Sequence, residues 1–197
     1  MNLELTDEQR ELRDTVRRFA TERIDGADAW PGLVELGATG VLIDEEFGGA
    51  GLTMSDAVLV AEQLGAALLP TPWASSAVLA PRAIMRFDAE ATSARLLTGI
   101  AHGTVKAAVA VGDVSAERGS LRGELAPVSD ADADVLLVAT EDALYLLEAG
   151  TPGLALVPLT GIDQLRRDFR VILDDAPAQT LPRQDRRRCA RSATTHW

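Results

Sequence analysis

The segment from Trp30 to Pro72 constrains the fold of this chain more than any other part of the sequence. Pro31 suits the first turn of a helix, because it has no N–H group to leave unpaired there. A short apolar set follows, and Gly37 can end this helix in a left-handed conformation. The segment therefore predicts a helix, a connector and a second helix.

The connector of this segment is rich in glycine, at positions 40, 48, 49 and 51. Glycine adopts backbone angles closed to other residues, so the connector can bend sharply beneath whatever packs on it. Ser55 or Asp56 can cap the second helix, and Pro70 and Pro72 end it. The apolar residues of this helix suit a largely buried element: Val58, Leu59, Leu64, Leu68 and Leu69.

Helical patterns also flank this segment on both sides. Thr6 and Gln9 have the spacing of a capping box, which predicts a first helix over residues 7–24. The apolar face of that helix consists of Leu12, Val16, Phe19 and Ala20. Residues 73–87 and 89–100 carry further helical patterns, so residues 1–102 are predicted to form a domain of about five helices.

The pattern changes at Gly103, after which short β-prone runs alternate with turn residues. The predicted strands are residues 105–111, 133–139, 143–147, 154–159 and 169–173. No helical pattern of ten residues lies between them, which disfavours a βαβ sheet. We therefore predict an α+β chain, in which an all-α bundle precedes an antiparallel β-sandwich or barrel domain over residues 103–182.

The order of these motifs resembles the acyl-CoA dehydrogenase family. The strings W-x-x-L-x-E-L-G, E-E-F-G-G-A-G-L and A-E-Q-L-G-A-A-L-L-P-T-P follow one another as in the helical domain of that family, and residues 5–19 are similar to its first helix. Residues 130–139 and 161–174 are similar to segments of its β domain. The resemblance implies a helical domain, followed by a middle β domain that is short or partial here.

The resemblance also implies a function, which is FAD-dependent α,β-desaturation of an acyl-CoA thioester. A carboxylate removes the α-proton while the β-hydride passes to the flavin, and an electron-transfer flavoprotein accepts the electrons. In the family, that carboxylate belongs to a C-terminal helical domain that this sequence does not show. We therefore predict no catalytic residue here. The alternative is a non-catalytic or truncated subunit that packs with a complete dehydrogenase chain in a mixed oligomer. The resemblance also implies a homo- or hetero-oligomer with another acyl-CoA dehydrogenase chain.

Three residues occupy the place of the family's flavin-binding segment, which has the pattern L-T-E-P-x-A-G-S-D. They are Val111, Gly112 and Asp113. Asp113 stands where the family has Glu, and Gly112 replaces the hydroxyl-bearing Thr. We therefore predict a degenerate cofactor-binding segment at these positions. A further alternative is a flavin-dependent monooxygenase with the same fold, and only the order of the helices and strands supports it.

Charge and composition exclude several classes of partner. The net charge of −11 argues against nucleic acid and anionic membranes, and no apolar run approaches the ~20 residues of a membrane-spanning helix. One cysteine fits a reducing compartment, so a cytoplasmic protein is expected. Residues 183–197, with five Arg and one Asp, form a basic tail. One interpretation is the premature end, through frameshift or truncation, of a gene that once encoded a longer protein. The other is a solvated basic tail.

Other candidate sites have structural interpretations that we prefer. Residues 48–51 lack the spacing of a phosphate loop and are predicted to form a turn, and Glu45 and Glu46 are predicted to be surface residues. His102 is expected to cap a helix that closes at Gly103.

The remaining candidates are aromatic or metal-binding residues. Trp30 and Trp73 are predicted to pack in the core rather than on a cofactor. Cys189 and His196 have no partners at metal-ligand spacing, so no metal site is predicted.

Overall fold

The computed structural model describes residues 4–22, 29–87 and 91–182. Its first half is helical and its second half consists of strands, as the sequence predicts. The helices are α1 (Asp7–Glu22), α2 (Trp30–Glu35), α3 (Met54–Ala66), α4 (Ala80–Phe87) and α5 (Ala91–Ala101). A π-helical turn, Ala74–Leu79, leads directly into α4. The predicted basic tail, residues 183–197, lies outside the described residues.

The start of α1 confirms the capping box. The Thr6 N–H donates to Gln9 Oε1 at 3.2 Å, and the Gln9 N–H donates to Thr6 Oγ1 at 3.2 Å. Val16 and Ala20 lie on the buried face of the helix, against α3 and its neighbours. The predicted end of this helix at Ile24 lies outside the described residues.

The glycine connector between α2 and α3 forms a tightly closed turn. Gly37 has a φ of 69°, the left-handed conformation predicted for it. A Cβ atom on Gly49 would lie 2.0 Å from the carbonyl oxygen of Ile43, so only glycine fits this crossing of two backbone segments. The connector is therefore a packing corner that brings Ile43 into the core.

Helix α3 corrects two predictions. It begins at Met54 with Thr53 as the N-cap residue, and Asp56 lies at the third helical position instead of capping the helix. The Asp56 carboxylate accepts hydrogen bonds from the Thr53 N–H at 2.8 Å and from the Thr53 hydroxyl at 2.6 Å. Val58 and Leu68, predicted to be buried, are 56% and 69% exposed, because α3 buries only the face that contacts α1 and the core.

In the part of the chain that the structure describes, eight strands form two four-stranded sheets, ordered β1-β4-β5-β8 and β2-β3-β7-β6. The first sheet contains β1 (Ala107–Val111), β4 (Val135–Ala139), β5 (Ala143–Glu148) and β8 (Gln179–Pro182). The second contains β2 (Ser115–Glu117), β3 (Ser120–Ser129), β6 (Leu154–Leu159) and β7 (Asp168–Pro177). The pairs are antiparallel, except that β1 and β4 are parallel, and the sheets do not close into a barrel within the described ranges.

Strands β2, β3 and β8 differ from the sequence prediction, which has no strand at these positions. In β3 the buried residues Leu121, Leu125 and Val128 do not alternate regularly with exposed ones. The pairing of β3 with β7 shifts between Leu121 and Gly123 and again between Leu125 and Val128. Each irregularity changes which side chains face the core, so the twofold period of a regular strand is lost from the sequence.

Among the described residues, three apolar clusters hold the elements in layers. One cluster joins α1, α2 and α3 around residues such as Val16, Leu33 and Val60. A second packs α4 and α5 on one face of the first sheet through residues such as Ile84 and Leu137. A third fills the space between the two sheets: Ala108, Ala110, Leu121, Leu125, Val128, Ala131, Leu136, Val138, Leu147, Phe169, Val171, Leu173 and Ala176. The first sheet is therefore covered by helices on one side and by the second sheet on the other.

Candidate functional site

The segment predicted to bind a cofactor lies at the carboxyl end of β1, where the chain turns toward β2. Val111 is 79% exposed, and Asp113 is also exposed. The Gly112 N–H donates to the carbonyl oxygen of Ala139 at 3.2 Å, at the end of the neighbouring strand β4. A Cβ atom on Gly112 would lie 2.6 Å from Leu125 Cδ2, so the segment packs closely on β3.

These residues do not by themselves fit a flavin. The polar edge of an isoalloxazine takes hydrogen bonds from N–H and O–H donors, and the Gly112 N–H is already occupied by Ala139. Asp113 supplies a carboxylate, which accepts hydrogen bonds when ionised and donates none. Residues 111–113 thus form an exposed edge that other groups would have to complete.

A second candidate is a cleft of about 420 Å³ between the helical part and the strands. One wall runs from the end of α3 to the π-helical turn and includes Leu68 and Leu79. The other comprises the end of β3, with Asp130, and the β6–β7 loop, with Leu165 and Arg166. Leu68, Leu79 and Leu165 are 46–69% exposed, so the cleft presents apolar surface to any ligand.

A polar pair lies at the junction of the two walls. The Ser75 hydroxyl donates to Asp130 Oδ2 at 2.5 Å, and Ser75 is only 4% exposed. Burial raises the pKa of the Asp130 carboxyl, although the hydrogen bond from Ser75 and the charge of Arg167 oppose that rise. Asp130 also has a φ of 55°, and its N–H donates to the carbonyl oxygen of Arg167 at 2.7 Å.

The π-helical turn positions two adjacent serines against the strands. Ser76 Oγ accepts a hydrogen bond from the Ala107 N–H at 3.0 Å, at the start of β1, while Ser75 binds Asp130 at the end of β3. Widened turns of this kind are rare in helices and are frequent at functional sites. Here the turn directs two consecutive side chains toward the strands.

The arginines of the cleft are engaged with neighbouring acidic and hydroxyl groups. Arg166 Nη2 donates to Ser129 Oγ at 2.9 Å and lies 3.7 Å from Asp168 Oδ1. Arg167 forms an ion pair with Asp132. The positive charges at the rim are therefore partly balanced, and the polar end of the cleft carries both signs of charge.

The other residues singled out in the sequence have structural roles. The N–H groups of residues 48–51 all donate to main-chain carbonyl oxygens within the connector, which leaves none of these four groups for a phosphate. Glu45 and Glu46 are exposed, as predicted. Helix α5 ends before Gly103, and the His102 ring lies over Gly48, where a Cβ atom would be 2.8 Å from Nε2.

Trp30 and Trp73 pack in the core, as predicted. Trp73 is 2% exposed, and its Nε1–H donates to the carbonyl oxygen of Ala38 at 2.8 Å. Trp30 is 5% exposed, and its Nε1–H donates to the carbonyl oxygen of Gly103 at 3.0 Å. Lys106 Nζ lies 5.4 Å from the centroid of the Trp30 ring, a cation–π contact.

The described ranges contain no cluster of three or more His, Cys, Asp or Glu side chains arranged to hold a metal ion. Cys189 and His196 lie outside those ranges. Nor is any of the described helices long and apolar enough to cross a membrane.

Sequence reasoning missed the pair formed by Ser75 and Asp130. The two residues are 55 positions apart, and neither stands in a pattern typical of a catalytic motif. The available signal was indirect, since residues 129–134 alternate acidic with small residues immediately before the buried strand β4. Such a string indicates a loop, but it does not show which helix the loop contacts.

A helical part, two β sheets and a cleft between them make up the described structure. Residues 6–104 match the family model described as acyl-CoA dehydrogenase, N-terminal domain. The chain therefore belongs to the acyl-CoA dehydrogenase family.

Two curated proteins are similar to this chain in sequence. Acyl-CoA dehydrogenase IpdE2 of Mycolicibacterium smegmatis is 41% identical over 83 residues, which are 34% of this chain and 27% of that protein. Acyl-CoA dehydrogenase FadE34 of Mycobacterium tuberculosis is 26% identical over 203 aligned positions, which cover 90% of this chain and 27% of that protein. The chain thus spans about a quarter of the length of these relatives.

A solved structure extends the similarity of fold to the strands. The crystal structure of the ChsE4-ChsE5 complex from Mycobacterium tuberculosis matches 94% of this chain and 59% of the matched chain, with a TM-score of 0.80 and 24% identity. This match shows that a helical part followed by β sheets, as described here, occurs as one fold in a solved structure.

Proposed function

We propose that this chain is part of an FAD-dependent acyl-CoA dehydrogenase that introduces an α,β double bond into an acyl-CoA thioester. The observation that carries the proposal is the cleft between the α3–α4 region and the strands, with its exposed leucines at positions 68, 79 and 165. By resemblance to the family, the acyl chain would lie between the later helices, the β domain and the family's C-terminal helical bundle. The apolar walls suit that ligand.

The proposal divides the chain into a helical domain, residues 1–102, and a β domain, residues 103–182. In it, Val111, Gly112 and Asp113 border the flavin, and groups from outside the described residues complete the cofactor site. We assign no catalytic carboxylate to this chain. Burial raises the pKa of Asp130 in the cleft, but its carboxyl is bonded to Ser75 and is treated as a structural group.

A second candidate function is a non-catalytic subunit that packs with a complete dehydrogenase chain in a mixed oligomer. The hydrogen bond from the Gly112 N–H to Ala139 favours this alternative, because that N–H is then not available to donate to a flavin. Two chains also form the ChsE4-ChsE5 complex, to which this chain is similar in fold. In either case the proposed assembly passes electrons to an electron-transfer flavoprotein.

The test is to express the chain alone and together with candidate dehydrogenase chains, and then to record flavin absorbance and acyl-CoA desaturation. We expect the lone chain to be colourless and the complex to be yellow and active. Flavin bound by the lone chain would exclude the non-catalytic alternative. A colourless, inactive protein with every candidate partner would contradict the proposed dehydrogenase function.

The oligomeric state offers a separate check. We expect the lone chain to be poorly soluble, because the apolar surface of the cleft and of α3 is exposed. A monodisperse monomer by light scattering would contradict this expectation.

A further inference from the structure

The cleft between the helical part and the strands has apolar walls and a polar end. The walls include the exposed side chains of Leu68, Leu79 and Leu165. The polar end, where the π-helical turn meets the end of β3, includes Ser75 and Asp130. A ligand that fills the cleft would therefore cover a carboxyl group as well as apolar surface.

The carboxyl group of Asp130 is already partly removed from water. Asp130 is partly buried, and burial raises the pKa of its carboxyl. Among the described residues, the Ser75 hydroxyl donates a hydrogen bond to Oδ2 of this side chain. An ionised carboxylate has about four positions at which it accepts hydrogen bonds, so this single donor leaves capacity for others.

A purely apolar acyl group would bind poorly at this end of the cleft. It would displace solvent from the carboxyl of Asp130 and supply no hydrogen-bond donor in exchange, which costs free energy. A hydroxyl group on the ligand would supply that donor, and hydrogen bonds to an ionised acceptor are stronger than neutral ones. The polar end therefore favours a ligand with a hydrogen-bond donor.

The charge at the polar end disfavours an anionic group on the acyl chain. The charged residues that line this end or pair with its arginines are Arg166, Arg167, Asp130, Asp132, Asp163 and Asp168. Two positive and four negative charges give this set a formal balance of −2. Each arginine also has an acidic partner, so a second carboxylate on the ligand would meet more repulsion than attraction.

Thr71 gives an independent sign that a polar ligand group belongs in the cleft. Thr71 lines the cleft, and its buried hydroxyl oxygen has no hydrogen-bond partner among the described residues. A buried polar group of this kind is destabilising unless another molecule completes its hydrogen bonds. A hydroxyl group both donates and accepts, so it suits a site that offers a carboxylate and a second hydroxyl.

We propose that the acyl group bound in the cleft carries a hydroxyl group remote from the thioester, and that this hydroxyl donates a hydrogen bond to Asp130. The substrate class is therefore hydroxyacyl-CoA thioesters. Asp130 determines specificity in addition to its bond with Ser75, and it takes no part in the chemistry. The inference rests on the proposed function in one respect, which is that the ligand of the cleft is an acyl-CoA.

The test compares thioesters that differ only at the end of the acyl chain. Hexanoyl-CoA, octanoyl-CoA and decanoyl-CoA are each paired with the corresponding ω-hydroxyacyl-CoA, and suberoyl-CoA supplies an ω-carboxylate. Equilibrium dialysis of radiolabelled thioesters against the full chain gives each Kd at a low protein concentration. At one or more of these lengths, the hydroxylated thioester should bind at least about tenfold more tightly than the unsubstituted one.

Asp130→Asn and Asp175→Asn form a matched pair of variants. Both aspartates have a left-handed conformation, with φ of 55° and 51°, which asparagine tolerates. Asp175 is bonded to Arg122 and does not line the cleft. Asp130→Asn should reduce the preference for the hydroxylated thioester to less than about threefold, whereas Asp175→Asn should change it by less than about twofold.

The comparison of thioesters on the wild type does not depend on any variant. Equal Kd values for hydroxylated and unsubstituted thioesters at every length, or no binding at all, would overturn the inference. Tighter binding of suberoyl-CoA than of ω-hydroxyoctanoyl-CoA would also overturn it, as would a hydroxyl preference that Asp130→Asn leaves intact.

These failures are distinguishable from a failure of the proposed function. Desaturation of unsubstituted acyl-CoA by the assembly, without a hydroxyl preference, would contradict the inference alone. A hydroxyl preference in a chain that supports no desaturation with any partner would contradict the dehydrogenase function and leave the binding site in place.

Discussion

The hydroxyl of Ser75 and the carboxylate of Asp130 join the helical part of the chain to the end of β3 through a hydrogen bond of 2.5 Å. Ser75 is buried in the π-helical turn, and Asp130 follows the last residue of the strand. Both residues line the cleft, so this bond fixes the distance between its two walls.

The first prediction concerns the strength of this connection. Ser75→Ala should lower the free energy of unfolding by about 1–2 kcal/mol, because it leaves a partly buried carboxyl without its hydroxyl donor. Asp130→Asn combined with Ser75→Ala should be less destabilising than the sum of the single variants, by roughly 0.5 kcal/mol or more. Urea unfolding of the four proteins measures this coupling. Strict additivity would show that the hydrogen bond does not contribute to stability.

The second prediction concerns pH. Burial raises the pKa of Asp130 above its ordinary value of 3.8, so the folded state holds this proton more tightly than the unfolded chain does. The contribution of Asp130 to stability is therefore complete below pH 3.8 and is lost as the pH rises through the raised pKa. Relative to Asp130→Asn, the free energy of unfolding of the wild type should fall as the pH rises from 3.8 through the raised pKa of Asp130. A difference that is independent of pH would contradict the predicted direction.

Asp56 provides a test of opposite sign and is the subject of the third prediction. Burial favours a higher pKa for its carboxyl, but hydrogen bonds from the Thr53 side chain, the Gln9 side chain and main-chain N–H groups outweigh burial and lower the pKa. Its stabilising contribution is present above pH 3.8 and is lost as the pH falls through the lowered pKa.

Asp56→Ala should therefore lower the free energy of unfolding by about 1–3 kcal/mol near neutral pH, because it removes the acceptor for Gln9 in α1 and for Thr53. Thermal unfolding monitored by circular dichroism, repeated at acidic pH, should show a smaller difference from the wild type. A difference that grows as the pH falls would refute the assignment.

The fourth prediction tests the glycine connector. Gly49→Ala should be strongly destabilising, by about 3 kcal/mol or more, because the new methyl group would overlap the main chain at Ile43. Gly65→Ala is the matched control, since it places the same methyl group in open space on α3 and should stabilise the fold by about 0.5–1 kcal/mol. Chemical unfolding of both variants makes the comparison, and similar stabilities would contradict the packing corner.

Much of the scaffold could be predicted from the sequence because its signals are local. The capping box of Thr6 and Gln9, the left-handed Gly37 and the strand over residues 154–159 each depend on neighbours within a few positions. The sequence predicts the wrong cap for α3 because Ser55 and Asp56 are also preferred N-cap residues, and only the structure shows that Asp56 bonds back to Thr53.

The remaining features depend on contacts between distant parts of the chain. The parallel pairing of Ala107 with Val135 joins β1 and β4, which β2 and β3 separate in the sequence, and no periodic pattern in the sequence indicates it. Val58 and Leu68 are as apolar as their buried neighbours, so the sequence cannot show which side of α3 is exposed. The cleft itself depends on the contact between Ser75 and Asp130, which the family resemblance did not single out.

The most direct test of the central claim, that the cleft is the acyl-CoA site of a dehydrogenase assembly, is hydrogen–deuterium exchange of that assembly with and without acyl-CoA. We predict slower exchange in peptides from residues 64–79 and 125–130 when acyl-CoA is present, and no change in α1 peptides, which lie away from the cleft. Unchanged exchange in both cleft peptides, under conditions where the assembly binds acyl-CoA, would contradict the claim.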